Sequence, residues 1–442
     1  MVASGPICVF PRMSPPAPVI RATHVASPAG TWDISGRPHY GILSRHIQPV
    51  ACHSRPGNAR PTRAEAILLD PIAHTMTGAA LSATGLRRTT PLATATLVLA
   101  ANAPDLDIVA HAFGSYTALA WRRGLTHGVP ALLCLPFLVT GVILAGDHVV
   151  RRRLRPGAPP ASWRRILPLA FLGVWSHPAL DWLNTYGMRW WMPASRDWSY
   201  GDSLFIVDPW LWLLLGGPLA ILYSKDRPSA AAWCLLAGAL SLLVLGTGLA
   251  PPGARAVWVA GILACIGVRW RMGPNPEPSA ERRITRWTLG AATAYVLCMV
   301  AGTRFSEEAV RAEASALGIT PVQEIMVGPV PANPFRGEVV LKLPGEYRTG
   351  SFAWFESPQV RLDPRPLISH PRDEIVRAAE EHPDMRNYLV WSRFPRFEVR
   401  PAEGGWEVVA SDVRYLQRPG SGGLSGVTVR VDENLRIESR GP

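Results

Sequence analysis

No two of the six cysteines are spaced as CxxC; Cys8, Cys52, Cys134, Cys234, Cys265 and Cys298 stand singly. This excludes a thiolate zinc knuckle and argues against a disulfide framework. The four that fall in apolar runs read as small buried hydrophobes. Also missing are a GxSxG elbow, a Walker loop, a dinucleotide fingerprint after a strand and an HExxH helix. The matching hydrolase, nucleotide-binding and metalloprotease templates are therefore set aside. No basic n-region followed by an apolar h-region opens the chain, so no signal peptide is read. The formal net charge is +12, mostly from Arg, yet no basic stripe interleaves with aromatics as a nucleic-acid groove would require. No nucleic-acid partner is expected.

Charge is scarce in eight stretches: 72–86, 89–112, 127–149, 166–186, 205–223, 229–250, 254–270 and 285–303. Several approach the ~20 residues that a spanning helix needs. The connectors 151–165, 224–227 and 269–283 carry Arg and Lys. Placing them in the cytoplasm, with Arg87 and Arg88, gives a consistent alternation. The regions 105–127, 187–208 and everything after 303 then fall outside. The expected fold is mainly α: a polytopic, multi-pass helical bundle of seven or eight apolar helices in a lipid bilayer. Residues 70–303 form its transmembrane metal-site domain. Residues 304–442 differ, because EVVLKL, SFAWFES, GWEVVAS and GVTVRVD alternate as strands and DEIVRAAEEH reads as an amphipathic helix. They are expected to form a small extracytoplasmic α+β domain. Residues 1–69, rich in Pro, Arg, Ser and His without a sustained period, read as a disordered tail or a mis-assigned start, with Leu69 as the alternative beginning.

Against this background the segment NAPDLDIVAH (102–111) stands out. An isolated charge at membrane depth costs at least ~2.5–3.5 kcal/mol, so Asp105, Asp107 and His111 need partners. Pro104 suits the first position of a new helical segment. On an ideal α-helix Asp105 and Asp107 do not share a face, whereas Asp107 and His111 do. Three other stretches offer partners: DPIAHTMTG with His74, WRRGLTHG with His127, and WSHPALDWLNTYG with His177 and Asp181. The last pair stands at i, i+4, so one helix can present both to one metal. Depth is consistent. His177 lies about 18 Å along a helix from Arg165, and Asp105 about 26 Å from Arg88. All of these residues can meet in the outer half of the membrane.

DPIAHTMTGAAL, NAPDLD, RRGLTHG and SHPALDWLNTYG, extended by GDSLFIVDPWLWL, resemble in this order the YdjM-like family of bacterial inner-membrane proteins, described as metal-dependent hydrolases. The likeness covers roughly residues 70–215 and implies an inner-membrane location. It further implies His74, Asp105, Asp107, His127, His177 and Asp181 as metal ligands, with His111 as a weaker candidate. The family is distantly similar to all-helical zinc phospholipases C and related nucleases, which implies phosphodiester hydrolysis. One departure is Arg122, where many relatives carry His; another is Gly128, which replaces a common Ser.

The reading is a membrane-bound, metal-dependent hydrolase. Imidazole with carboxylate suits zinc, with manganese or iron as alternatives. The substrate class is an ester or phosphodiester, of lipid or envelope origin, cut at the outer side. Asp107 is the candidate general base. Arg123, Arg196 and Asp202 are the candidate substrate contacts, the latter two in a Trp-dense segment. The rival reading is a non-enzymatic ion or solute transporter using the same Asp/His cluster. A scaffold with a structural metal is a third.

Overall fold

In a computed structural model the described residues are 70–206, 208–246, 250–273, 277–331, 333–416, 424 and 426–437. The expectation for 1–69 lies outside them. Helix α1 (Asp70–Ala83) leads through a 3-10 turn at Leu86–Arg88 into α2 (Ala93–Asn102). There the chain tightens into a 3-10 helix, Ala103–Phe113, begun by Pro104 and ended by Gly114. Short α3 (Ser115–Trp121) precedes α4 (Val129–Gly146), which runs on through a π turn, Asp147–Arg151, into α5 (Arg152–Leu154). Then follow α6 (Trp163–Asp181), α7 (Pro209–Tyr223), α8 (Arg227–Gly246), α9 (Pro252–Met272) and α10 (Pro278–Ala316).

Two apolar cores hold these helices. Ala100, Leu132, Val139, Ile166, Ala170 and Val174 join α2, α4 and α6. Met76, Ala80, Trp212, Leu215, Leu240 and Trp258 join α1 to α7, α8 and α9. Close approach of α2 to its neighbours depends on glycine. A Cβ on Gly173 of α6 would sit 2.6 Å from the Ala100 Cβ, and one on Gly78 of α1 would sit 2.6 Å from the Leu97 carbonyl oxygen. Without side chains at these points, α1 and α6 pack directly on the backbone of α2.

Among the described residues, five stretches are long and apolar enough to cross a membrane: Ala93–Phe113, Val129–Leu154, Arg227–Gly246, Pro252–Met272 and Ser279–Ala316. That is fewer than the seven or eight expected. Helices α1 and α7 are short, at 14 and 15 residues. Helix α6 carries Arg164, Arg165 and Asp181 within its apolar sequence. The last span also does not stop at 303, because α10 is one helix of 39 residues. Cys134, Cys234 and Cys298 are exposed and Cys265 is half-buried, which corrects the expectation of buried cysteines. They lie on outward-turned or groove-lining helix faces, where an apolar thiol suits lipid as well as a core.

Beyond α10, β1 (Glu324–Val330), β2 (Asn333–Leu343), β3 (Glu346–Ala353) and β4 (Val360–Leu362) form an antiparallel sheet in sequential order, with β5 (Leu367–Ile368) paired to β3. Val310 and Ala314 near the end of α10 pack on the apolar face of this sheet, against Val327, Val339 and Phe352. Helices α11 (Glu374–Glu380) and α12 (Pro383–Trp391) cover a second antiparallel sheet of β6 (Pro395–Ala402), β7 (Gly405–Asp412) and β8 (Val427–Asp432). In β8 buried and exposed residues alternate, as its sequence predicts.

Candidate metal centre

Four of the sequence candidates converge. One oxygen each of Asp105 and Asp181 and one ring nitrogen each of His127 and His177 lie within 4.8 Å of one another, as a group able to hold a metal ion. His177 and Asp181 come from one face of α6, with His177 Nε2 3.4 Å from Asp181 Oδ2. His127 precedes α4 and places its Nε2 3.2 Å from the same oxygen and 3.1 Å from His177 Nε2. Asp105 enters from the 3-10 segment, its Oδ1 3.8 Å from His177 Nε2. Both imidazoles are fully buried.

The far nitrogens of the two rings reveal what the near ones do. His177 Nδ1 lies 2.7 Å from the carbonyl oxygen of Ala101, which can only accept, so Nδ1 donates. His127 Nδ1 lies 3.3 Å from Asp107 Oδ2, a carboxylate that also takes the hydrogen of Thr126 Oγ1 and the backbone N–H of Arg123. In the neutral tautomers these contacts select, each Nε2 presents a lone pair. Two nitrogens facing each other at 3.1 Å, beside two carboxylates, call for a proton or a metal ion among them. A ligating His normally donates its other N–H to a carboxylate or a backbone carbonyl, and here one ring does each. The donor set of two imidazoles and two carboxylates therefore fits a divalent first-row metal.

His74, on α1, is placed beside the group. Its ring stacks on that of His177 with centroids 3.7 Å apart, and its Nε2 lies 3.2 Å from Asp181 Oδ1. Among the described residues, His74 Nδ1 and Asp105 Oδ2 are buried and find no hydrogen-bond partner. His74, Asp181 and Asn184 line a small cavity of about 30 Å³, on the order of a single water. Asp107 stands one step back, as the carboxylate behind His127. His111 is half-buried and outside the group. The face expected for Asp107 and His111 does not form, because the segment winds with three residues per turn rather than 3.6, which turns i+4 away.

Cations balance the carboxylates. Arg122 Nη2 lies 3.1 Å from Asp105 Oδ1, and its Nε 3.7 Å from Asp107 Oδ1. Arg123, 1% exposed, grips Asp181 through Nε at 2.9 Å and Nη2 at 3.1 Å, and donates to Asn184 Oδ1 at 2.8 Å. Its guanidinium lies under the Tyr186 ring. The structure thus sets Arg123 against a cluster carboxylate. Arg196 is exposed and outside the group. Asp202 is buried and paired with Arg393 at 2.8 Å, away from the cluster. Arg189 is buried and caps α3 by donating to the carbonyl of Ala120. Asp208 caps α7 and accepts from Tyr295.

The strand-rich region closes over the segment that follows α6. Arg414 donates to the Thr185 carbonyl at 2.5 Å and pairs with Asp412. Arg393 bridges Asp202 and Glu324. Trp198 donates to the Val390 carbonyl, and Tyr186 packs on Trp391. Sequence reasoning placed Arg123 at the site as a substrate contact rather than as the partner of Asp181, and missed Tyr186. The available signal was a double Arg in a segment facing two buried Asp.

No curated protein and no solved structure matches the chain. Residues 69–250, which carry every member of the cluster, match the model of the YdjM inner membrane protein family.

Proposed function

We propose that the protein is a membrane-bound, metal-dependent hydrolase, using zinc, that cleaves an ester or phosphodiester at the outer side of the membrane. One observation carries this reading: two buried imidazoles, each held by its Nδ1, turn their Nε2 atoms toward one point shared with Asp105 and Asp181. We assign residues 70–303 to the membrane domain and 304–442 to an extracytoplasmic domain that covers its outer end.

His127, His177, Asp105 and Asp181 hold the metal, which when bound lowers the pKa of water and polarises the scissile group. Asp107 fixes the tautomer and angle of His127. Arg123 neutralises Asp181 and holds it in register with the two rings. Arg122 does the same for Asp105, supplying a fixed positive charge beside the metal ligands. His74 lines the small cavity and keeps a ring nitrogen that finds no hydrogen-bond partner among the described residues. That makes it the side chain best placed to carry a proton between the cavity and Asp181.

The test is elemental analysis of purified protein, wild type against His177→Ala with Asp181→Ala. Zinc near one equivalent or more, absent from a folded double variant, is the expected result, followed by turnover of a soluble phosphodiester. No bound metal in folded wild type overturns the reading and favours ion transport through the same cluster.

A further inference from the structure

Strand β2 begins and strand β3 ends at one end of the first sheet, where the backbone N–H of Trp354 donates to the Phe335 carbonyl at 3.0 Å. Two rings stand out there. Phe355 is 83% exposed and Phe335 53%, and they lean on each other with centroids 5.1 Å apart. A single exposed apolar side chain needs no explanation, but an exposed aromatic pair is a patch.

Two contacts fix where this end of the sheet lies. A Cβ on Gly302 of α10 would stand 3.8 Å from Trp354 Cζ2, and one on Gly328 of β1 would stand 3.2 Å from the Thr185 methyl. The apolar stretch of α10 runs out at Gly302, and Thr185 stands four residues after the end of α6. The opposite end of the sheet is the hairpin at Pro344, nine residues along β2 from Phe335, or about 30 Å. The aromatic end is thus level with the last turns of the α10 span, and the hairpin is the distant end. Phe305, one turn past Gly302, is 68% exposed and continues the apolar surface of α10 at that level. Arg336, next to Phe335 in sequence, and Arg361 both pair with Glu356, which is next to Phe355. The patch is apolar at its centre, and the charge at its rim is met by charge of the other sign. This layering suits the depth of lipid headgroups, where aromatic rings lie inward and long Arg side chains reach out.

We propose that Phe335 and Phe355 are a lipid anchor: both rings enter the bilayer interface beside α10 and set the height of the strand-rich region over the helices. The occupant of the patch is lipid at the boundary of headgroup and acyl chain. Continuity assigns it, because the patch adjoins the exposed side of a helix long and apolar enough to cross the membrane. The proposal rests on α10 crossing the bilayer and is independent of the metal chemistry.

The experiment places the full chain in phosphatidylcholine nanodiscs with a nitroxide on a sole cysteine: Phe355→Cys, Phe335→Cys, Pro344→Cys or the native Cys298. Collision with oxygen, which concentrates in the bilayer, is compared with collision with a neutral nickel chelate, which stays in water. Cys298, exposed on α10, is the bilayer reference, and the exposed position 344 is the water reference. Expected at 335 and 355 is an oxygen-to-nickel ratio several-fold above that at 344. Adding Phe335→Asp to the Phe355→Cys chain should bring the ratio at 355 down toward that at 344. Ratios at 335 and 355 equal to that at 344 overturn the anchor, while an oxygen-rich Cys298 leaves the span standing. A nickel-rich Cys298 removes the span and the anchor together. Poor access of both reagents at 355, with spin–spin broadening between molecules, means a second copy covers the patch and overturns the lipid assignment. A ratio unmoved by Phe335→Asp means that packing sets the height without the rings, and also overturns the proposal.

Discussion

The carboxylate of Asp181 is the shared partner of the site, touching His74, His127, His177 and Arg123. Its dependence on Arg123 can be measured. Arg123→Met leaves Asp181 buried with its strongest neutralising partner removed, and breaking a buried pair costs about 3–5 kcal/mol. A lowered melting temperature that zinc partly restores is expected; an unchanged one would show that the pair contributes nothing. Asp107→Ala tests the residue behind His127. Losing such an orienting carboxylate weakens metal affinity by about 10–100-fold, read by competition with a chelator, with the helical signal intact. The spacing of His177 and Asp181 made their partnership legible in the sequence, because i, i+4 on a helix is a fixed geometry. Arg123 was legible as a residue of the site, read as a substrate contact, but its pairing with Asp181 was not. It lies in a non-helical segment with positive φ, and no periodicity says where such a side chain points.

At the scale of elements, the break between α2 and the 3-10 helix sets the site. Pro104 marked the break in the sequence, but nothing in the residues distinguished a 3-10 winding from an α-helix, so the partners of Asp107 were misjudged. The tighter winding brings both Asp105 and Asp107 to Arg122. A second determinant is the bare contact of α6 on α2 at Gly173. Gly173→Val would drive a side chain into Ala100 and the Leu97 carbonyl. Overpacking of this kind costs about 1–3 kcal/mol, and it separates the helix that carries His177 from the one that leads to Asp105. Metal stoichiometry should fall along with the melting temperature; retained stoichiometry would mean that the helices adjust without moving the ligands. The apolar stretch ends at 303, where the composition turns polar, but helix α10 runs on to Ala316, so that boundary falls inside the helix.

Across the whole molecule, strand alternation made the C-terminal sheets legible, while their attachment to the segment after α6 was not. It rests on single long-range pairs such as Arg414 with the Thr185 carbonyl. Arg414 is held by Asp412. Burial opposes ionisation of Asp412, but the Arg414 guanidinium, the Ser392 hydroxyl and the Arg414 backbone N–H outweigh it and hold the carboxyl below its ordinary value. A depressed folded value means the stabilisation is present above the unfolded value of 3.8 and is lost as pH falls through the folded one. Acid titration of the melting temperature should therefore show a loss beginning below about pH 4. Asp412→Asn should flatten that limb and lower stability at neutral pH. An unaltered acid limb would place the sensitivity elsewhere.

The same contact has a consequence for biogenesis. Thr185 and Arg414 are 229 positions apart. At ~5–20 residues per second of synthesis, the second follows the first by on the order of 10–50 s. During that interval the helices that carry the Asp/His cluster can already pack together while the segment after α6 is not yet clasped by Arg414. The nascent chain thus passes through an interval in which every residue of the Asp/His group has been made and the Thr185 carbonyl has not yet met Arg414.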